Sequence, residues 1–146
     1  MRLTLITASC ALFALVLSSC SSAKECSPQD AYTIEYSNGG GVTGMERGMT
    51  IDCSGRVTMW DKNVNSPRVS TDSLVLKSSS RKALAACMAD AAVYAYTKND
   101  VGNYTTRLVL TKNDQHTVIA YPSSTPPADL PASIQKILSE ISSIHK

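Results

Sequence analysis

Runs of basic charge are missing from this chain: no stretch of lysine or arginine exceeds two residues, and the formal net charge is only +2. Nothing therefore follows a nucleic-acid backbone, which asks for a clustered cationic stripe, and nucleic-acid binding is excluded. Histidine is scarce as well, with His116 and His145 alone. Neither accompanies a serine or cysteine motif such as GxSxG, so catalytic residues are not evident and the expected protein is not an enzyme. The cysteines show no CxxC spacing and no neighbouring histidine cluster, so neither a metal site nor a cofactor is expected. Long apolar runs are lacking too, since the stretch over residues 3–17 is too short and too sharply bounded for a membrane-spanning helix.

That stretch, preceded by Arg2, reads as a secretory signal peptide. Leu17, Ser18, Ser19 and Cys20 follow it, and this tetrapeptide resembles the lipobox of bacterial lipoproteins. The resemblance implies that Cys20 becomes the first residue of the mature chain and carries palmitate and other acyl groups that hold it at a membrane surface. Ser21 in place of aspartate implies the outer membrane, with the domain facing the periplasm of the cell envelope. The expected organisation is a signal peptide over 1–19, a lipidated tether over 20–30 and a single domain over 31–146, long enough for one modest core.

Of the cysteines, Cys10 leaves with the signal and Cys20 goes to lipid. Cys26, Cys53 and Cys87 remain on the oxidising side of the inner membrane, which allows one bridge and one free thiol. Cys26 lies in the tether, Cys53 at a turn and Cys87 on the apolar side of a helix. All three pairings are sterically open, and Cys53 with Cys87 is the expected one.

The periodicity changes in an orderly way along the domain. Tyr32, Ile34 and Tyr36 alternate with Thr33 and Glu35, the pattern of a half-buried strand. Met49 and Ile51 precede a turn, and Val57 and Met59 follow it. A three-residue loop of Cys53, Ser54 and left-handed Gly55 puts all four on one face, with Asp52 and Arg56 flanking it. A helix follows over 78–96, capped by one of Ser78 to Ser80, with Leu84, Cys87, Met88 and Ala91 at helical spacing. Two more strands surround the turn at Asn113 and Asp114. The last segment carries Ile134, Ile137, Leu138, Ile141 and Ile144 on one stripe, a helix with Asp129 as its expected cap. The predicted fold is α+β: an antiparallel sheet of about four to five strands built from hairpins, with two helices packed on one face.

The stretch "NGGGVTGMERG" remains. It fits GxGxxG but opens a strand rather than a helix, so no helix amino end would meet a pyrophosphate. A Walker loop would need lysine after Gly44, where the chain has Met45 and Glu46. Two readings stay open: the glycines permit a connection between strands, or an exposed loop with Met45 and Arg47 at its tip docks a partner. Trp60, the single tryptophan, is either a binding anchor or a cap on the core edge.

The glycine loop, the helix pattern "LxxCMxDAAxY", "YTTRLVL", "HTV" and the "PADLP" before the last helix together resemble the emfourin type of protease inhibitor and related small lipoprotein domains. The likeness runs over residues 34–144, and its specific elements include Gly40, Gly41, Gly44 and Leu130. It implies a non-enzymatic module that binds another protein, a thermolysin-type metalloprotease by analogy, through Gly40, Gly41, Gly44, Met45, Arg47 and Trp60. The alternative is a structural envelope lipoprotein packed against cell-wall or outer-membrane components.

Overall fold

The computed structural model describes residues 26–144. The expected signal peptide over 1–19, Cys20, the start of the expected tether and His145 lie outside the described residues. In chain order, after a 3-10 turn at Pro28–Asp30, the elements are β1 (Tyr32–Gly40), β2 (Met45–Asp52), β3 (Arg56–Lys62), β4 (Val69–Val75), α1 (Ser78–Met88), α2 (Ala91–Ala95), β5 (Lys98–Asn99), β6 (Tyr104–Lys112), β7 (Gln115–Tyr121) and α3 (Ala132–Ile144). No helix among the described residues is long and apolar enough to cross a membrane.

The fold is α+β, with the strands in one seven-stranded sheet ordered β4-β3-β2-β1-β6-β7-β5. Every neighbouring pair is antiparallel except β5 with β7, which is parallel. Alternation sets the faces: Tyr32 and Ile34 of β1, Met49 and Ile51 of β2, Val57 of β3, Leu108 and Leu110 of β6 and Ile119 of β7 are buried in the core. Leu84, Cys87 and Met88 of α1, Val93 of α2, and Ile134, Ile137, Leu138 and Ile141 of α3 cover them. The helices thus coat one face, and the other carries Thr50, Glu35 and Arg107 without helical cover.

The β2–β3 turn follows the expected register. Ile51 pairs with Val57 and Met49 with Met59, and Gly55 takes φ +83°. Asp52 fixes the turn, its Oδ1 accepting from Ser54 N at 2.9 Å and Arg56 N at 3.1 Å. The second hairpin also turns where expected, with Asn113 at φ +51°.

Several expectations are corrected. The sheet has seven strands rather than about four to five. Edge strand β4 is exposed along most of its length, so it needs no apolar face and shows no alternation. Strand β5 has two residues, too few for any period. The helix expected over 78–96 is two: Ala89 ends α1, and the Asp90 Oδ1 accepts from Ala92 N at 3.0 Å to cap α2. Ala91 is exposed rather than on the buried stripe. Among the described residues no side chain caps α1, whose N-cap is Lys77, and Asp129 lies 3.8 Å from Lys98 instead of capping α3.

The disulfide differs as well. Cys26 pairs with Cys53, and Cys87 is a buried free thiol. The 53–55 turn sits against both the start of β1 and the first turn of α1: Cys53 N donates to Tyr32 O at 3.2 Å, and Arg81 Nη1 donates to Ser54 O at 3.2 Å. Cys87 is roughly 9 Å further along the helix axis, at about 1.5 Å per residue, and faces the core. Burial pushes its thiol pKa up, which keeps it protonated and unreactive. The segment before β1 is therefore stapled onto the β2–β3 turn.

Candidate functional site

Strands β1 and β2 continue past the helices and close a hairpin over residues 41–44. Gly40 has φ +117°, and a side chain there would collide with the Asn103 carbonyl oxygen. That carbonyl accepts the Gly41 amide. The glycines thus let the hairpin lie directly on the loop that leads into β6, which fits the conformational reading of the sequence. It is a tight hairpin, and its tip is Val42; Met45 and Arg47 stand on β2 rather than at the tip.

The helix-coated face is bare at this end. Tyr36 and Asn38 of β1, Met45 and Arg47 of β2, Met59 and Asp61 of β3 and Tyr104 of β6 surround a hollow of about 480 Å³. The register brings them together, because Asn38 pairs with Arg47, Arg47 with Asp61, and Gly40 with both Met45 and Tyr104. Met59 and Tyr36 pack on the core beneath. Arg47 Nε lies 3.6 Å from Asp61 Oδ1, with both groups substantially exposed, so the pair is weak in water and free to exchange for a partner's charge. Asn38 Nδ2 donates to the Tyr36 hydroxyl at 3.1 Å, and Thr106 Oγ1 lies 2.7 Å from Asn38 Oδ1. These bonds fix the floor. Nearby Tyr121 is buried, which pushes its pKa to about 12, with the adjacent Tyr36 adding to the rise.

Around the rim the exposed apolar side chains gather. Val42 is 103% exposed, Tyr104 48% and Met45 37%. Val64, in the β3–β4 loop, reaches over Gly44, and Val101 precedes Asn103; both are exposed.

Trp60 behaves differently from a surface anchor, being 3% exposed on the helix-free face. Gly48 opposite it in β2 has no side chain to obstruct the ring, since a Cβ there would lie 2.5 Å from the indole. The indole Nε1 donates to Thr50 Oγ1 at 3.2 Å, and the Arg68 guanidinium stacks 4.0 Å from the ring centroid. Arg68 also binds Glu35 bidentately, an interaction that raises its already high pKa. Trp60 thus braces the tip from beneath, and the clamp fixes the β3–β4 loop that carries Val64.

Of the six residues singled out in the sequence, Gly40, Met45 and Arg47 line this hollow, Trp60 borders it with its indole turned to the opposite face, and Gly41 and Gly44 shape its hairpin. Tyr104 and Val42 were missed. Tyr104 stands in phase with Leu108 and Leu110 on β6, so alternation could have placed it on the helix side, but its neighbour Gly40 is set by strand order alone. His116 is exposed, its Nδ1 3.1 Å from Thr111 Oγ1. No group of three or more potential metal ligands occurs among the described residues. No protein-family model matches the chain, and no curated protein does.

Proposed function

We propose that the chain is a lipid-anchored cell-envelope protein whose domain is a non-enzymatic protein-binding module, docking its partner with the glycine-hairpin end of the sheet. The observation that carries this reading is the collection of apolar surface there. Of the seven exposed large hydrophobic residues among those described, five (Val42, Met45, Val64, Val101 and Tyr104) stand on this end or on the loops adjoining it. Soluble domains seldom expose apolar side chains in such a cluster unless something covers them. The Met45 side chain, the Tyr104 ring and the Arg47 guanidinium are also the kinds of group that supply interface hot spots.

Direction supports the same reading. Strand β1 runs from Tyr32, beside the Cys26 disulfide, to Gly40, beside the hollow, a span of roughly 26 Å at the usual rise per strand residue. A lipid on Cys20 would hold the cysteine end at the membrane and present the hairpin end to the periplasm. By the emfourin resemblance the partner is a thermolysin-type metalloprotease, which the module inhibits.

The test is capture from envelope extracts with the full-length chain tagged at its carboxy terminus, beside the Met45→Ala/Arg47→Ala variant, followed by calorimetry on the captured partner. We expect a protease whose activity falls when the chain is added, and at least a tenfold weaker affinity in the variant, which melts within about two degrees of wild type because both residues are on the surface. Capture of porins or wall-associated proteins alone, with equal affinity in the variant, contradicts the proposal and supports the structural-lipoprotein alternative.

A further inference from the structure

The end of the sheet opposite the hairpin holds a second hollow, of about 560 Å³, walled on one side by the Cys26–Cys53 bridge. Three cations line it, Arg81 and Lys82 from α1 and Lys112 from the end of β6, against one acid, Asp30. The amino end of α1 opens here at Ser78, and no side chain among the described residues caps it, so the first-turn amides and the positive end of the helix dipole remain available.

A second observation is independent of the helix. Tyr32 lines the same hollow, is only 6% exposed, and its hydroxyl has no hydrogen-bond partner among the described residues. Arg81 Nε is buried and unpartnered in the same way, although Arg81 Nη1 donates to Ser54 O at 3.2 Å. Buried polar groups are ordinarily satisfied, and two unsatisfied donors beside one hollow call for an acceptor. We propose that this end binds a phosphate-bearing anion, held by Arg81, Lys82 and Lys112, the Tyr32 hydroxyl and the amino end of α1.

A phosphate group fits the arrangement better than a carboxylate. The donors come from three elements, β1, α1 and β6, and a tetrahedral group offers oxygens in several directions where a planar carboxylate offers two. Burial, with the nearby Asp52 charge as the next cause, pushes the Tyr32 pKa to about 12, so the hydroxyl keeps its proton as a donor near neutral pH. Two sources supply this chemistry, free phosphate and a phospholipid headgroup. The headgroup source rests on the lipid-anchor reading: Cys26 is six residues after Cys20, which puts the hollow within about 20 Å of the bilayer at the maximum extension of the chain.

The experiment follows thermal unfolding of the full-length chain in neutral detergent micelles. One arm adds inorganic phosphate against chloride at matched ionic strength. The other adds short-chain phosphatidylglycerol against phosphatidylcholine. A ligand that binds only the folded state raises Tm with concentration, and we expect a rise of at least about 3 °C in one arm. Lys82→Ala/Lys112→Ala should abolish it, and Tyr32→Phe should reduce it. A rise with inorganic phosphate identifies a free-anion site, even if the membrane reading fails. A rise with phosphatidylglycerol alone identifies a headgroup site. No rise in either arm, or a rise undiminished in the Lys82→Ala/Lys112→Ala variant, overturns the proposal.

Discussion

The two ends of the sheet are held by different means. At the cysteine end a disulfide ties the incoming chain to the β2–β3 turn, Asp52 pins that turn through backbone amides, and Arg81 reaches across from α1 to the Ser54 carbonyl. Its surface is cationic and carries none of the exposed large hydrophobics except Val75 at the end of edge strand β4. At the hairpin end, among the described residues, no covalent link ties the strands and no helix covers them. Gly40 allows the hairpin to lie on the Asn103 loop, a Trp60–Arg68–Glu35 stack braces it from the other face, and apolar side chains stand in water. The contrast shows how a small domain can leave part of its surface apolar: the core and the bridge supply the stability, and the far end is free to be shaped for contact.

If this division holds, perturbing one end should leave the other's property intact. The most drastic change is Cys20→Ala. Metabolic palmitate labelling should fall from full incorporation to none, with the precursor left unprocessed, while the folded domain and its hairpin end are unaltered. Normal labelling and maturation of that variant would remove the anchor from the account.

Next in size is the bridge. Cys26→Ser/Cys53→Ser opens a loop of 27 residues' separation and should lower unfolding free energy in urea by about 3 to 4 kcal/mol. Partner affinity at the hairpin end should stay within about twofold. Non-reducing peptide mapping should find Cys26 joined to Cys53, with Cys87 alkylated only after unfolding.

The smallest of the three distinguishes the ends by pH. Burial raises the pKa of Tyr32, at the cysteine end, and of Tyr121, nearer the hairpin end, to about 12 each. An unfolded tyrosine loses its proton near pH 10, so between about pH 10 and 12 the folded state binds more protons than the unfolded one. Stability contributed by each is complete below pH 10 and is lost as pH rises through 12, by about 1 to 2 kcal/mol per tyrosine once solvent screening is taken off. Tyr32→Phe and Tyr121→Phe should each remove one share of that alkaline loss in chemical-unfolding curves. An unchanged slope in either variant would show that its tyrosine is not buried as described.

Much of the architecture could be read from residue pattern wherever one face is buried. The three-residue loop at Cys53 to Gly55 follows from requiring Met49, Ile51, Val57 and Met59 to share a face, and the registers agree. The stripe of Ile134, Ile137, Leu138 and Ile141 likewise identifies α3 and its buried side. Pattern fails where burial does not select residues. Strand β4 is held by backbone pairing at an edge, β5 is too short for a period, and Asp90 breaks a helix that alanine spacing would continue. The bridge was unreadable because Cys26 carries no periodic signal and its nearness to Cys53 arises from the Tyr32–Cys53 backbone contact. At the hairpin end the glycines, Met45 and Arg47 drew notice through residue type. That they share a hollow with Asp61 and Tyr104 depends on β1 lying between β2 and β6, which is long-range information.

The claim that the two ends face opposite ways is open to one direct measurement. A fluorophore on Val42→Cys or on Lys82→Cys, in the full-length chain in phosphatidylglycerol-containing vesicles, can be quenched by lipids carrying a quencher in the headgroup. Val42 is in the hairpin turn, and Lys82 of α1 lines the hollow at the other end of the sheet, whose strands span roughly 26 Å. The label at position 82 should be quenched strongly and the label at position 42 weakly or not at all. Equal quenching of both, or stronger quenching at position 42, would contradict an anchored base and an outward-facing hairpin end.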